Sequence, residues 1–136
     1  TPSWSEAYGL FVKGEAPLVL SYTTSPAYHR FAEKSERYAA LRFPEGHPLQ
    51  IEVAAVLARS PRQELARQFL AVLLSPAVQG EIATTNWMLP AGATAKPLPP
   101  AYDGVLPPPR TIGFSPAEIA ANRRAWTAEW LEAMSR

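Results

Sequence analysis

Fifteen of the 136 residues are proline. Each proline fixes φ and lacks an amide donor, so their positions decide where helices can begin and where sheet ladders are forbidden. Four of them follow a serine, at Ser25-Pro26, Ser60-Pro61, Ser75-Pro76 and Ser115-Pro116, and each pair precedes a stretch with helical periodicity. A serine hydroxyl accepts from a free first-turn amide and proline suits the first helical position, so these pairs are expected helix starts. A further start is Ser3, where Glu6 completes a capping box and the helix is expected to run to about Lys13 before Gly14.

Between these starts lie runs with strand character. Leu18 to Thr24 (LVLSYTT) is short, β-branched and aromatic, and follows Pro17. Tyr38 to Phe43 is a weaker strand, ended by Pro44-Glu45-Gly46, and Leu49 to Ala58 passes from alternation to a continuous apolar run, as a strand entering a buried position does. Helices alternating with strands predict an α/β class. The second half is mainly helical. Pro61 to Leu74 puts Leu65, Phe69, Val72 and Leu73 on one face, and Pro76 to about Ala83 forms a short second helix. Leu89 to Arg110 holds seven of the fifteen prolines and reads as an extended connection. Ser115 to Met134 carries another capping box, Ser115 with Glu118, and a stripe of Ile119, Trp126 and Trp130 that suits core or an interface.

Composition excludes several function classes. Thirteen basic against twelve acidic side chains leave a formal charge of +1, which removes the cation excess that a nucleic-acid or anionic-membrane binder uses. With 47% hydrophobic and 18% charged residues the chain can build a core. No cysteine is present, so disulfides, thiolate zinc sites and cysteine nucleophiles are absent. No stretch approaches the roughly 20 apolar residues of a membrane span. The start Thr1-Pro2-Ser3-Trp4 has neither a basic region, an apolar leader nor an initiator methionine, so a processed or excised chain is expected.

Catalytic anchors are equally scarce. His29 and His47 share no metal-ligand spacing, and there is no HExxH, no glycine-rich phosphate loop, no dinucleotide fingerprint and no G-x-S-x-G elbow. No metal site and no catalytic residue is expected. Glu33 and Glu36, amid Arg30, Lys34 and Arg37, read as a solvated charged face. The aromatics are more informative. Trp4 lies in the first turn of a helix, Tyr22 near the C-terminal end of a strand, Tyr28 in the first turn of the next helix, and Trp87 in the loop after Asn86. Strand C-termini and the helix N-termini that follow them line the ligand crevice of α/β sheets, so Tyr22 and Tyr28 can face one site. Any one of these rings, taken alone, reads more readily as core than as part of a site.

At these residues the sequence resembles a known family. WSEAYGLFVKGE (4–15), LVLSYTTSPAYH (18–29), EGHPLQIEVAA (45–55), Asn86-Trp87-Met88 and Phe114 to Arg136 are similar to the C-terminal part of the periplasmic thiamine-binding proteins of bacterial ABC transporters. ARQFLAVLLSPAVQG (66–80) resembles the more general solute-binding pattern of a helix followed by Ser-Pro and a glutamine. Departures from the family cluster between Ala91 and Pro109.

The resemblance implies part of a two-lobed type II periplasmic solute-binding fold, with 1–48 in the second lobe, 49–101 in the first, and 102–136 as a connection and terminal helix returning to the second. It implies Trp4, Tyr22, Tyr28 and Trp87 as ligand-binding residues, and thiamine, thiamine phosphate or thiamine diphosphate as ligand rather than a cofactor. It also implies a periplasmic location, a membrane permease as partner, and a missing N-terminal half. Ser25, at a helix N-terminus, is a candidate hydrogen-bonding residue for an anionic tail. Transport of a polyamine or ferric iron is the nearest alternative. Iron-binding relatives use adjacent tyrosines, whereas Tyr22 and Tyr28 are separated, and polyamine sites need several carboxylates. A thiamine-processing enzyme on the same fold, or an interaction domain whose aromatics are all core, are the readings from other classes.

Overall fold

A computed structural model of the chain describes residues 1–105 and 107–135. Leu106, inside the proline-rich connection, and Arg136, at the end of the terminal segment, lie outside the described residues. The chain divides into two compact units, one made of Thr1–Leu41 with Glu52–Pro107, the other of Arg42–Ile51 with Pro108–Arg136. The first unit therefore joins segments that the sequence divides between two lobes.

In the first unit, α1 spans Trp4–Lys13 and begins where expected. Ser3 Oγ accepts from the Glu6 amide at 3.3 Å, the first half of a capping box. Gly14, at φ 83°, ends the helix in the left-handed conformation that glycine adopts without steric cost. Trp4, Tyr8 and Phe11 recur at helical spacing, so their rings form one continuous aromatic face, with centroids 4.9 Å and 5.8 Å apart along it.

The next helix, α2 (Ser25–Tyr28), lasts a single turn and widens into a π turn over His29–Glu33, which Lys34 closes at φ 54°. Its N-cap is Thr24, with no side-chain cap bond, so Ser25 does not cap it as expected. Instead Ser25 Oγ pairs with Ser21 Oγ at 2.7 Å. Two longer helices follow, α3 (Gln63–Leu73) and α4 (Pro76–Thr85). The former starts two residues after Pro61, because Ser60 Oγ accepts from the Arg62 amide and holds a turn first. Ser75 holds the N-cap position of α4, as expected, but its hydroxyl makes no cap bond and donates instead to the Val72 carbonyl at 2.6 Å.

The core of this unit is small and lies under α4. Ala27, Ala83 and Tyr102 are buried, with Leu98 and Val105 packed on them. Tyr102, in a 3-10 turn over Pro100–Tyr102, donates its hydroxyl to the Ala83 carbonyl. Buried Gln79 donates to the Leu73 carbonyl and accepts from the Ala91 and Gly92 amides. The Gln79 carboxamide thus ties the proline-rich connection to α4 through its oxygen and α3 to α4 through its nitrogen, the satisfied state that a buried polar side chain requires.

In the second unit a parallel pair, β1 (His47–Pro48) and β2 (Thr111–Ile112), matches His47 with Thr111. Gly46 makes this approach possible. At φ 105° a Cβ there would stand 2.8 Å from the Arg110 carbonyl oxygen. The last helix, α5 (Pro116–Met134), carries the complete Ser115–Glu118 capping box. Trp126 and Trp130 are exposed at 38% and 60%, so neither is core in this chain.

The three expected strands are not formed. Residues 18–24, 38–43 and 49–58 have no ladder among the described residues, and Leu20 and Val53 are each 88% exposed. A strand exists only when its amides and carbonyls meet a neighbour's. The pattern that predicts these strands reports which side chains favour a sheet, and among the described residues no strand runs beside them to complete a ladder. Helix formation needs no such partner, which is why the helix starts hold and the strands do not.

Candidate functional site

A cavity of about 580 Å3 opens in the first unit. Three segments and one further residue wall it: the N-terminal part of α1, residues 22–28 leading into and through α2, residues 85–88 at the end of α4, and Glu52. Trp4, Tyr22, Tyr28 and Trp87, the four aromatics singled out in the sequence, all line it, and so does Ser25.

Local chemistry fixes the walls. The Trp4 indole N–H donates to the Leu20 carbonyl at 2.9 Å, which anchors the ring against the extended run 18–22 and leaves it 6.5 Å from Tyr22. On the opposite side Tyr28 meets Trp87 edge to face, centroids 5.1 Å apart at 83°, the arrangement that ring quadrupoles prefer. Trp87 adopts φ 57°, a left-handed conformation that is costly for a bulky residue and is held only by its surroundings. Those surroundings include Phe31, 5.6 Å from the indole, and Asn86, whose side-chain amide donates to Glu52 at 3.1 Å.

Two groups of the site escape a reading of the sequence. Tyr8 lines the cavity beside Trp4, one helical turn on. Its hydroxyl lies 2.7 Å from Nε2 of His29, while Nδ1 of His29 lies 2.7 Å from a Glu33 carboxylate oxygen. A carboxylate only accepts, so Nδ1 carries a proton, and in the neutral imidazole Nε2 then accepts from the Tyr8 hydroxyl. His29 is 1% exposed and stacks nearly parallel to Tyr8, with Tyr38 4.0 Å away on its flank. Burial raises the Tyr8 phenol above its usual 10.0; a side-chain hydrogen bond from Ser25 partly offsets that, and the Glu33 carboxylate adds to it. The phenol therefore stays neutral and donating. Glu33 is consequently not part of a simple solvated face: it orients a buried imidazole. Its i,i+4 spacing from His29 is the sequence signal for this pair, but Tyr8 is 21 residues away and nothing local announces it.

The second overlooked group is Glu52, which lines the cavity within the run expected to be a strand. Among the described residues no three His, Cys, Asp or Glu side chains gather as a metal cluster. What the arrangement offers chemically is a set of aromatic faces, several hydroxyls, among them those of Tyr8, Tyr22, Tyr28 and Ser25, and one carboxylate. Such a lining can hold a flat, cationic organic molecule by stacking and by attraction to the negative ring faces.

Comparison with known proteins points the same way. The family model described as "Bacterial extracellular solute-binding protein" matches residues 1–80. The chain is 57% identical over all 136 residues to the thiamine-binding periplasmic protein of Brucella abortus and 54% identical, again over its whole length, to that of Escherichia coli K12. The Haemophilus influenzae protein of the same name is 40% identical over 134 residues. A solved structure of a periplasmic thiamin binding protein superposes with a TM-score of 0.85 at 55% identity, over 98% of this chain and 41% of that one. The chain spans 41% of the length of the Brucella and Escherichia relatives.

Proposed function

The chain belongs to the bacterial extracellular solute-binding protein family, and from that premise we propose that its protein captures thiamine and its phosphate esters in the periplasm and delivers them to the permease of an ABC importer. Its fold is α/β, part of the two-lobed type II solute-binding architecture. No reaction is catalysed in this account: binding and release are the whole of the chemistry.

One observation carries the proposal. Trp4, Tyr22, Tyr28 and Trp87 surround a single cavity in a chain alike along its whole length to proteins named for binding thiamine. Thiamine pairs a flat aminopyrimidine with a permanently cationic thiazolium. Aromatic walls stack with the first and offset the charge of the second, at about 0.5–2 kcal/mol for each cation-π contact. A volume of about 580 Å3 falls within the roughly 300–1,000 Å3 of small-molecule sites. Tyr22 and Tyr28 supply hydroxyls for the hydroxyethyl or phosphate tail. Ser25 joins them as a further hydroxyl of the lining, which its neighbours Ser21 and Tyr8 hold in place.

In this account the cavity is a cleft between lobes. Residues 1–48 bring the α1 and α2 walls from the second lobe, 49–101 bring Glu52 and the Trp87 wall from the first, and 102–136 return to the second. The apolar runs 18–24 and 49–58, exposed here, pair with strands from the remainder of the protein, including an N-terminal half. Ligand touching both walls favours their closed arrangement by its differential affinity for it, and the permease reads that state.

Thiamine titration of the full-length protein with Trp87→Ala and Tyr22→Ala variants, each checked for native circular dichroism, tests the assignment. Either loss is expected to weaken binding about tenfold or more. Wild-type affinity in both variants refutes the aromatic site.

A further inference from the structure

Glu52 is the single charged side chain lining the cavity among the described residues, and every ring around it is neutral. Its carboxylate is held rather than free. Asn86, at the end of α4, donates its side-chain amide to Glu52 Oε2 across 34 residues of sequence. The next residue is Trp87, whose left-handed backbone turns the indole into the same cavity. Asn86 thus positions a carboxylate and an aromatic wall from adjacent residues. Among the described residues no cationic side chain pairs with Glu52: the one Arg–carboxylate pair is Arg67–Glu64, and Glu33 takes the Nδ1 hydrogen of His29.

We propose that Glu52 is a specificity-determining residue that supplies the counter-charge for the cationic ring of the ligand, an inference that rests on the thiamine account above. Aromatic faces favour a cationic ring over a neutral ring of the same shape through cation-π contacts, but they also stack with both. A fixed carboxylate adds a Coulomb term that only the cation receives. At about 5 Å, with an effective permittivity between that of a protein surface and water, this term amounts to about a tenfold preference, because Glu52 is itself exposed to solvent. The amide of Asn86 leaves the carboxylate charge intact while fixing its direction.

Calorimetric titration of the full-length protein with thiamine, and with its uncharged thiophene isostere, separates the possibilities. The isostere keeps the aminopyrimidine and hydroxyethyl groups and lacks only the ring charge. In Glu52→Gln, thiamine affinity is expected to fall about tenfold while affinity for the isostere changes less than about twofold, and the wild-type preference for the cation is expected to shrink as salt is raised. Asn86→Ala keeps the charge and loosens it, so a smaller loss confined to thiamine is expected. Equal losses on both compounds would mean that Glu52 contacts the aminopyrimidine instead, and no loss on either would mean that it contacts nothing; both results overturn the inference while leaving the thiamine account standing. A wild-type protein that binds neither compound removes that account, and this inference with it.

Discussion

Replacing His29 with phenylalanine tests the buried Tyr8–His29–Glu33 chain in isolation. A phenyl ring, slightly larger than the imidazole, occupies its space between Tyr8 and Tyr38 and leaves no cavity, so the change removes hydrogen bonds rather than packing. Two are lost, each 2.7 Å long. The bond from the Tyr8 hydroxyl is neutral and worth about 1 kcal/mol, and the bond to the Glu33 carboxylate is charge-assisted but ends on a partly exposed group, so about 1 kcal/mol is assigned to it as well. His29→Phe should therefore destabilise the protein by about 2 kcal/mol, read as a lower urea midpoint at unchanged m-value. Much of that cost is a phenol left without its acceptor. Adding Tyr8→Phe to His29→Phe should then restore about 1 kcal/mol, whereas Tyr8→Phe alone should be destabilising, a coupling that a double-mutant cycle measures directly. Additive effects of the two substitutions would refute the hydrogen-bonded chain.

Further outcomes follow from single residues. Gly46→Ala forces a Cβ to within 2.8 Å of the Arg110 carbonyl at a positive φ, and should cost about 1–3 kcal/mol while leaving the helices of the first unit intact by amide exchange. Burial raises the phenols of Tyr8 and Tyr102 in the folded state. The native protein consequently holds these protons longer than the unfolded chain, so stability should be full below pH 10 and decline above it, and Tyr8→Phe with Tyr102→Phe should flatten that decline. Hydrogen bonds from the Ser115 hydroxyl and amide lower the Glu118 carboxyl below 4.5. Its cap is present above that pH and lost as pH falls through the depressed value, so helicity of α5 should decrease in acid, and Glu118→Gln should abolish this dependence.

Helix boundaries were legible because their causes are local. Ser115 with Glu118, Ser3 with Glu6, and Gly14 act within four residues, and each lies where its chemistry puts it. Ser25 and Ser75 show the limit of the same rule: a hydroxyl that finds a better partner, Ser21 or the Val72 carbonyl, does not cap. Strand character at 18–24 and 49–58 was equally visible, yet a ladder depends on neighbours that the local pattern does not name. The cavity aromatics could be found because Trp4, Tyr22, Tyr28 and Trp87 belong to stretches with a family likeness. Tyr8, His29 and Glu52 lie in the same stretches, yet their roles are not legible there, since each depends on a contact distant in sequence: 21 positions from Tyr8 to His29 and 34 from Glu52 to Asn86.

Calorimetry of thiamine binding to the full-length wild-type protein, with tryptophan fluorescence followed in the same titration, bears most directly on the central claim. Saturable heat at one ligand per protein, accompanied by quenching from the Trp4 and Trp87 rings that line the cavity, is the predicted result. A folded protein that gives neither saturable heat nor quenching with thiamine, its monophosphate or its diphosphate would contradict it.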